Sequence, residues 1–529
     1  MKRGTISSVP IGAAGRQGAA CPVTSLAKKL LFSAALILTC LVAIEALCVA
    51  FEPRDEIFDR ATVYRLPKKR PGAFRIIAYG GSTTWGAPVP ELGFVAQLGF
   101  FLRELRPDRP LEILNLGRPG SSSDSDVEAV RATIDAQPDL LLLFGSHNEF
   151  LDRGLPSRFK TRLRYQLARS GAKRMMVRLA ATFRGSSRDR ESILPDRLVP
   201  YDRNSEVFRA KLERYRDNID AVLRLASGKK VPILILTPPS NLSGWPPVHR
   251  QIGWALGDAA YERKIEAIEQ SLASGSLGQA REQLERLRAE HPGDAMGLFL
   301  LATLELRTGD TAGARTHFTQ ARDLDPYPWR ALSEMNDYLR LRAALPGVHL
   351  IDAERIFADQ SPDGITGGFL IADNCHPTPE GSYLIAEAIV RCLSANGQFF
   401  ESGARLDPQK LGLETFLSHL GESTTNGSLR LRSLLEVGRY SMKTPFFNYE
   451  ASERVLREAI ALDPANWEAW ANVATLSLLC GRIEQGRNEF HAALRAKGAM
   501  IDLDDRARVP YLREALTTSG VDEAEEIGK

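Results

Sequence analysis

Four short motifs in this chain contain residue types that take part in nucleophilic catalysis. The first includes Ser82, a serine between glycine and threonine that would be exposed at a turn. The second is rich in glycine, which lets backbone N–H groups approach a ligand. The fourth places His376 three residues after Asp373. In chain order the motifs are Tyr79–Gly86, Asn115–Ser122, Phe144–Phe150 and Asp373–Gly381.

Strands are predicted to position these motifs. Short apolar runs alternate with helical stretches, a pattern typical of a parallel sheet buried on both faces. In open sheets of this kind, ligands bind at the carboxyl ends of the strands, and the motifs lie at strand ends. The predicted strands are Phe74–Tyr79, Leu111–Asn115, Asp139–Phe144, Val231–Thr237 and Val348–Asp352.

The four motifs together resemble the SGNH branch of the GDSL hydrolases over residues 70–245 and 335–395. The resemblance implies an α/β fold, with a flavodoxin-like three-layer parallel sheet, and a catalytic Ser82. It also implies that His376 is the general base and that Asp373 orients it. The oxyanion would be bound by the backbone N–H groups of Ser82 and Gly120 and by the side-chain amide of Asn148. No metal or organic cofactor is expected.

The chain departs from the family pattern at two positions. Gly81 replaces an acidic residue before the serine, and Glu149 replaces the aspartate that follows the asparagine. Losing the acid at position 81 is expected to remove an acceptor and to loosen the turn around Ser82. Neither change removes a residue that would touch the substrate, so only the size of the activity is in question.

Each motif also has a structural interpretation without catalysis. Ser82 could cap the following helix, and Asp373 could cap another. Asn148 could be an ordinary loop residue, and His376 could be a turn residue before proline. His147, next to Asn148, is interpreted as a supporting residue rather than a catalytic one.

A repeat interrupts the predicted sheet between its fourth and fifth strands. Small, apolar and proline positions recur 34 residues apart, which is the period of tetratricopeptide helix pairs. A second, less regular set lies near the C-terminus. The insertion is expected to form a separable lobe. The first set consists of Gly275, Ala280, Leu284 and Pro292, followed by Gly309, Ala314, Phe318 and Pro326.

The N-terminal region predicts a membrane anchor. Residues 30–51 are almost entirely apolar and are long enough to cross a bilayer as a helix. Basic residues precede this run without any acid, so the N-terminus should be cytoplasmic and the remainder extracytoplasmic, which is periplasmic in a Gram-negative cell. A cleaved signal peptide is the alternative.

Composition excludes several classes of protein. The chain has 529 residues, 44% hydrophobic and 25% charged, which excludes wholesale disorder. With 68 basic and 65 acidic residues, it lacks the field of a nucleic-acid-binding protein. The six cysteines show no CxxC spacing, so neither a disulfide framework nor a zinc site is supported. A basic stretch from Arg153 to Arg190 could lie on anionic lipid, line a site for an anionic polymer or be a solvated helical face.

The sequence thus predicts a membrane-anchored extracytoplasmic serine esterase that acts on carbohydrate or lipid O-acyl esters, for example those of an envelope polysaccharide. An O-acyltransferase and a non-catalytic scaffold with protein partners on the repeats are the alternatives. The predicted divisions are a cytoplasmic tail (1–29), an anchor (30–51), a first hydrolase part (60–255), a tetratricopeptide-like insertion (256–335), a second hydrolase part (336–400), linker helices (401–440) and C-terminal tetratricopeptide-like helices (441–515).

Overall fold

A sheet of five parallel strands lies at the centre of the computed structural model. Its strands are β1 (Phe74–Gly80), β2 (Leu111–Asn115), β3 (Leu140–Phe144), β4 (Ile233–Leu236) and β5 (Val348–Ile351). They are arranged in the order β2-β1-β3-β4-β5, and every neighbouring pair is parallel. The five predicted strands and the α/β fold class are therefore confirmed.

The structure describes only part of the chain. The described residues are 22–50, 66–151, 157–159, 200–248, 250–251, 254–255, 259–401, 406–407, 409–421, 427–443, 448–498, 500–502 and 508–521. Most of the basic stretch from Arg153 to Arg190 lies outside these ranges, as do the basic residues at the extreme N-terminus.

Helix α1 (Pro22–Ala50) and the sheet belong to different compact units of the chain. Within this helix, Lys28–Leu47 has a mean hydropathy of 2.4 and is long enough to cross a membrane. A signal sequence near an N-terminus would have the same length and composition. The predicted apolar helix is thus present.

The sheet is covered by helices on both faces because its strands are apolar on both sides. Ile76 and Leu142 pack on one face, and Ile77 and Leu143 pack on the other. The short helix α2 (Ser82–Trp85) follows β1 directly. Helices beside the sheet include α3 (Phe94–Leu105), α4 (Ser123–Thr133) and α5 (Glu206–Gly228).

Four helices form the insertion between β4 and β5. They are α6 (Ala259–Ala273), α7 (Leu277–Glu290), α8 (Ala295–Thr308) and α9 (Thr311–Leu324). Alanines and leucines at the predicted repeat positions, including Ala280 and Leu284, are buried between these helices. The predicted helical hairpins are confirmed.

The last helix of the insertion packs onto the sheet domain. Phe318 lies in an apolar cluster with Leu242 and Ile365, which belong to loops of the sheet domain. The buried Arg322 donates to Ser333 Oγ at 2.6 Å and to Glu354 at 3.0 Å. The last repeat helix therefore shares both an apolar cluster and a buried charge network with the sheet domain, and the separability of the insertion stays a prediction.

The chain continues after the insertion through α10 (Ser333–Arg342), α11 (Ala353–Asp359) and α12 (Pro379–Ala395). Further helices follow: α13 (Leu413–His419), α14 (Ser428–Met442), α15 (Tyr449–Leu462), α16 (Trp467–Leu479), α17 (Ile483–Lys497) and α18 (Leu512–Thr518). Leu435 of α14 packs with Val455 of α15 and Val473 of α16. The C-terminal helical array therefore includes α14, which the sequence analysis assigned largely to a linker.

Candidate active site

The turn after β1 holds Ser82 at the carboxyl edge of the sheet. Gly80 has a φ of +145°, and a Cβ there would lie 1.9 Å from the carbonyl oxygen of Phe144. Only glycine allows the end of β1 to run this close to the end of β3. Thr84 strengthens the contact by donating its hydroxyl to the same Phe144 oxygen at 2.7 Å. Ser82 is the first residue of α2 and is partly exposed.

A continuous hydrogen-bonded chain joins Ser82, His376 and Asp373. The Oγ of Ser82 lies 2.6 Å from Nε2 of His376. The Nδ1 of the same ring lies 2.6 Å from Oδ2 of Asp373. Oδ1 of Asp373 accepts from the backbone N–H groups of Cys375 at 2.9 Å and His376 at 2.8 Å. The structure thus brings together three residues separated by up to 294 positions in the chain.

The charge of Asp373 decides how the protons are arranged in this chain. Burial would by itself raise the pKa of the Asp373 carboxyl. The charge of His376 and the hydrogen bonds from His376 and Cys375 outweigh that effect and hold the pKa below its ordinary value. An ionised Asp373 accepts the Nδ1–H of the imidazole, which leaves Nε2 to accept the proton of the Ser82 hydroxyl.

The glycine-rich motif after β2 is tied to the end of β1. The backbone N–H of Arg118 and the hydroxyl of Ser121 both donate to the carbonyl oxygen of Gly80, at 2.9 and 3.1 Å. Between them, Gly120 has a φ of +73°, a left-handed conformation that favours glycine. This loop therefore runs beside the turn that carries Ser82.

Asn148, in the motif after β3, reaches across to the same loop. Its Nδ2 donates to the carbonyl oxygen of Ser121 at 3.0 Å. A Cβ on Gly81 would lie only 2.9 Å from this Nδ2 atom. Because Gly81 has no side chain, the Asn148 amide can occupy the space beside Ser82. The sequence pattern did not indicate this role, since it showed only that an acidic hydrogen-bond acceptor is absent at position 81.

Two buried carboxyl groups lie beneath these loops. Glu149 accepts from the backbone N–H and the hydroxyl of Ser123, at 2.8 and 2.7 Å. Burial raises the pKa of Glu149 to about 7. Burial and the neighbouring Glu149 charge raise the pKa of Asp126 to about 8. Glu149, which replaces the family's aspartate, thus fastens the start of α4 to the loop that carries Asn148.

His147 is buried and contacts the chain that leaves the insertion. Its Nδ1 accepts the backbone N–H of Ala331 at 3.1 Å, so its Nε2 carries the proton. Burial, together with the positive charge of His376, lowers the pKa of His147 to about 3 and keeps the ring neutral. Nε2 is buried and has no hydrogen-bond partner among the described residues.

Two residues near the site were missed by the sequence analysis. Tyr440 of α14 places its ring edge against the ring of His376, with 5.8 Å between centroids and 76° between planes. Asn241, after β4, is fully buried beside the carbonyl groups of Ile371 and Asp373. Neither residue lies in a motif that points to catalysis, so no sequence signal marked them.

Asp373, Cys375 and His376 also form a group whose candidate metal-ligating atoms lie within 4.8 Å of one another. The imidazole nitrogens already bond to Ser82 and Asp373. Burial and the Asp373 charge raise the pKa of the Cys375 thiol, which keeps it protonated. These atoms fit a proton relay better than a metal site, because a metal bound at either imidazole nitrogen would displace the hydrogen bond to Asp373 or the one to Ser82.

Comparison with known proteins identifies the repeats. Residues 271–327 match the tetratricopeptide repeat family, which confirms the predicted repeat in the insertion. A search of curated protein sequences finds no match to the chain.

Three of the solved structures similar to the chain are described as hydrolases. A protein from Bacteroides fragilis described as an acylhydrolase is 12% identical, with a TM-score of 0.29, over 64% of this chain and 99% of its own. A lipase/acylhydrolase from Enterococcus faecalis is 13% identical, with a TM-score of 0.29, over 61% and 96%. An α/β hydrolase from the metagenome of Lake Arreo is 16% identical, with a TM-score of 0.28, over 62% and 97%.

In fold class, the chain is a three-layer α/β protein with inserted tetratricopeptide helices. That assignment depends on the strand order, the helical layers and the repeat match.

Proposed function

We propose that the chain is a serine hydrolase that cleaves acyl esters. The observation that carries this proposal is the pair of 2.6 Å contacts that joins Ser82 through His376 to Asp373. A hydroxyl hydrogen-bonded to an imidazole that is oriented by a carboxylate is the arrangement that activates serine as a nucleophile.

In the proposed cycle, the Oγ of Ser82 attacks the ester carbonyl carbon while His376 accepts its proton. The backbone N–H groups of Ser82 and Gly120 and the amide of Asn148 bind the resulting oxyanion. Collapse of this intermediate breaks the C–O bond, and His376 gives the proton to the departing alcohol. Water then attacks the acyl-enzyme with the same proton relay, and the acid is released.

Carbohydrate or lipid O-acyl esters are the proposed substrates, with an O-acylated envelope polysaccharide as the example to test. The same acyl-enzyme could be resolved by a sugar hydroxyl instead of water, which would make the protein an O-acyltransferase. Acceptor-dependent kinetics separate the two, because only a transferase forms a new ester at a rate that rises with sugar concentration.

We also propose that α1 anchors the protein and that the catalytic domain is extracytoplasmic. The length and hydropathy of Lys28–Leu47 support the anchor, and the basic residues before it support the orientation. A reporter fused after Lys529 should be active only outside the cytoplasm. N-terminal sequencing of the mature protein would separate an anchor from a cleaved signal.

The tetratricopeptide helices would offer a surface for a protein partner.

Labelling of the purified full-length protein with a fluorophosphonate probe tests the proposed chemistry. Wild type should be labelled, and Ser82→Ala should not. His376→Ala should lose almost as much activity on an activated ester as Ser82→Ala, because the two groups act as one unit. An unlabelled wild type of intact fold would refute the hydrolase and favour the scaffold alternative.

A further inference from the structure

The catalytic pair Asp373 and His376 lies on a segment with little regular structure. We call residues Ile371–His376 the Asp-His block. Within the described residues, its ladder pairing consists of one isolated bridge, between Ile371 and Pro377. None of the five strands includes it. Besides the local N–H groups of Cys375 and His376 that donate to its carboxylate, the orientation of Asp373 therefore depends on hydrogen bonds from other parts of the chain.

Asn241 supplies three of these hydrogen bonds. Its side-chain Nδ2 donates to the carbonyl oxygens of Ile371 at 3.1 Å and Asp373 at 2.9 Å. Its backbone N–H donates to the carbonyl oxygen of Asn374 at 3.1 Å. The remaining side-chain atom, Oδ1, accepts the N–H of Gly244 at 2.8 Å. Both amide protons and the amide oxygen of this fully buried residue are thus in use, which fixes the position of the Asp373 backbone.

The chain that leaves the tetratricopeptide insertion holds Asn241 and the block together. We call residues Trp329–Ala331 the exit segment. The carbonyl oxygen of Trp329 accepts Nδ2 of Asn374 at 3.1 Å. Arg330 donates to the carbonyl oxygens of Asn241 at 3.0 Å and Trp245 at 2.8 Å.

Two further contacts fix the exit segment itself. The guanidinium of Arg330 is buried and paired with the buried Asp325 at 3.3 Å, so its charge is compensated. The N–H of Ala331 donates to His147, the residue before Asn148. The exit segment therefore touches both the loop of the proposed oxyanion hole and the Asp-His block.

We propose that Asn241 and the exit segment are positioning elements of the catalytic centre, so that the repeat insertion takes part in aligning Asp373 with His376. The inference rests on the proposed hydrolase function and adds the residues that align its acid and base. Without the Asn241 side chain, the carbonyl oxygens of Ile371 and Asp373 each lose one donor, and the 2.6 Å contact between Asp373 and His376 is no longer enforced. Misplacement of a catalytic group by about 1 Å can cost about 10²-fold in rate.

Asn241→Leu tests this in the full-length protein with the fluorophosphonate probe. The end-point stoichiometry of labelling counts folded sites, while the labelling rate constant reports the chemistry of Ser82. The expected result is a rate constant lower by about 10–10²-fold with unchanged stoichiometry. On an activated ester, kcat should fall by the same factor with KM unchanged, because the substrate-binding groups are untouched.

Asn336→Leu is the matched control. Asn336 is also a fully buried asparagine, and it donates to the same loop, at Pro238, but not to the Asp-His block. Its replacement should leave the rate constant unchanged. If Asn241→Leu does not fold, Asn374→Ala decides the matter, since it removes only the bond to Trp329 and should lower the rate constant by several-fold.

The outcomes separate the two proposals. A wild type that reacts with neither the probe nor the ester refutes the hydrolase and the inference with it. A reactive wild type with unchanged rate constants in Asn241→Leu, or in Asn374→Ala where the former does not fold, overturns the inference alone. A loss of stoichiometry at an unchanged rate constant does the same, because it assigns these residues to folding rather than to alignment.

Discussion

Gly81 offers a sharp test of how the oxyanion hole is built. A Cβ at this position would lie 2.9 Å from Nδ2 of Asn148, closer than ordinary van der Waals contact. The backbone of Gly81 is extended, with φ of −85°, so glycine is not required here by a left-handed conformation. The substitution should therefore act through the displaced Asn148 amide.

The expected loss in kcat follows from the hydrogen bond that the Asn148 amide would lose. Its hydrogen bond to Ser121 is 3.0 Å long, and a shift of several tenths of an ångström would lengthen or break it. Donors to an oxyanion work at about 2.7–3.1 Å, and the loss of one costs about 10²–10³ in kcat, or about 2.7–4 kcal/mol. Gly81→Ala should approach this value without exceeding that of Asn148→Ala.

A double-mutant cycle on an activated ester makes the test specific. Gly81→Ala, Asn148→Ala and the double variant should be compared for kcat, with thermal unfolding as the check on folding. If the two positions act through one amide, the double variant should match Asn148→Ala, because no donor remains to be displaced. Wild-type turnover in Gly81→Ala, or fully additive losses, would refute this account of the oxyanion hole.

Three further predictions concern the surroundings of the site. Burial and the charge of Glu149 raise the pKa of Asp126 to about 8, so the contribution of this carboxyl to the free energy of unfolding is largest in acid and is lost as the pH rises through about 8. Urea unfolding at several pH values should therefore show a flatter pH dependence of stability in Asp126→Asn than in wild type. Tyr440→Ala should lower kcat by about 2–10-fold, because an edge-to-face contact is worth about 0.5–1.5 kcal/mol. Tyr440→Phe should retain activity, and an unchanged kcat in the alanine variant would exclude a role for the ring. Leu284→Ala in the repeat core should cost about 2–5 kcal/mol in urea unfolding, and a loss below about 1 kcal/mol would show that the repeat core adds little to stability.

Much of this architecture can be predicted from local sequence patterns. Strand β3 is recognisable because a run of five consecutive apolar residues is typical of a strand in a sheet covered on both faces. The repeat is recognisable because each helix pair must present small and apolar residues at the same positions to pack on the next. Ser82 and His376 were identifiable because their motifs contain residue types suited to catalysis and lie at strand ends or directly before a helix.

Only the tertiary structure decided how the Asp-His block is held. Asn241 and Asp373 are 132 residues apart, and their contact is a side-chain amide meeting a backbone carbonyl, which leaves no mark in composition or periodicity. The same is true of Trp329, in the exit segment after the insertion, and of Tyr440, in α14, because the sequence placed both segments outside the site. Local patterns specify which residues must be buried, but the partner of a buried polar group depends on which distant segments the fold brings together.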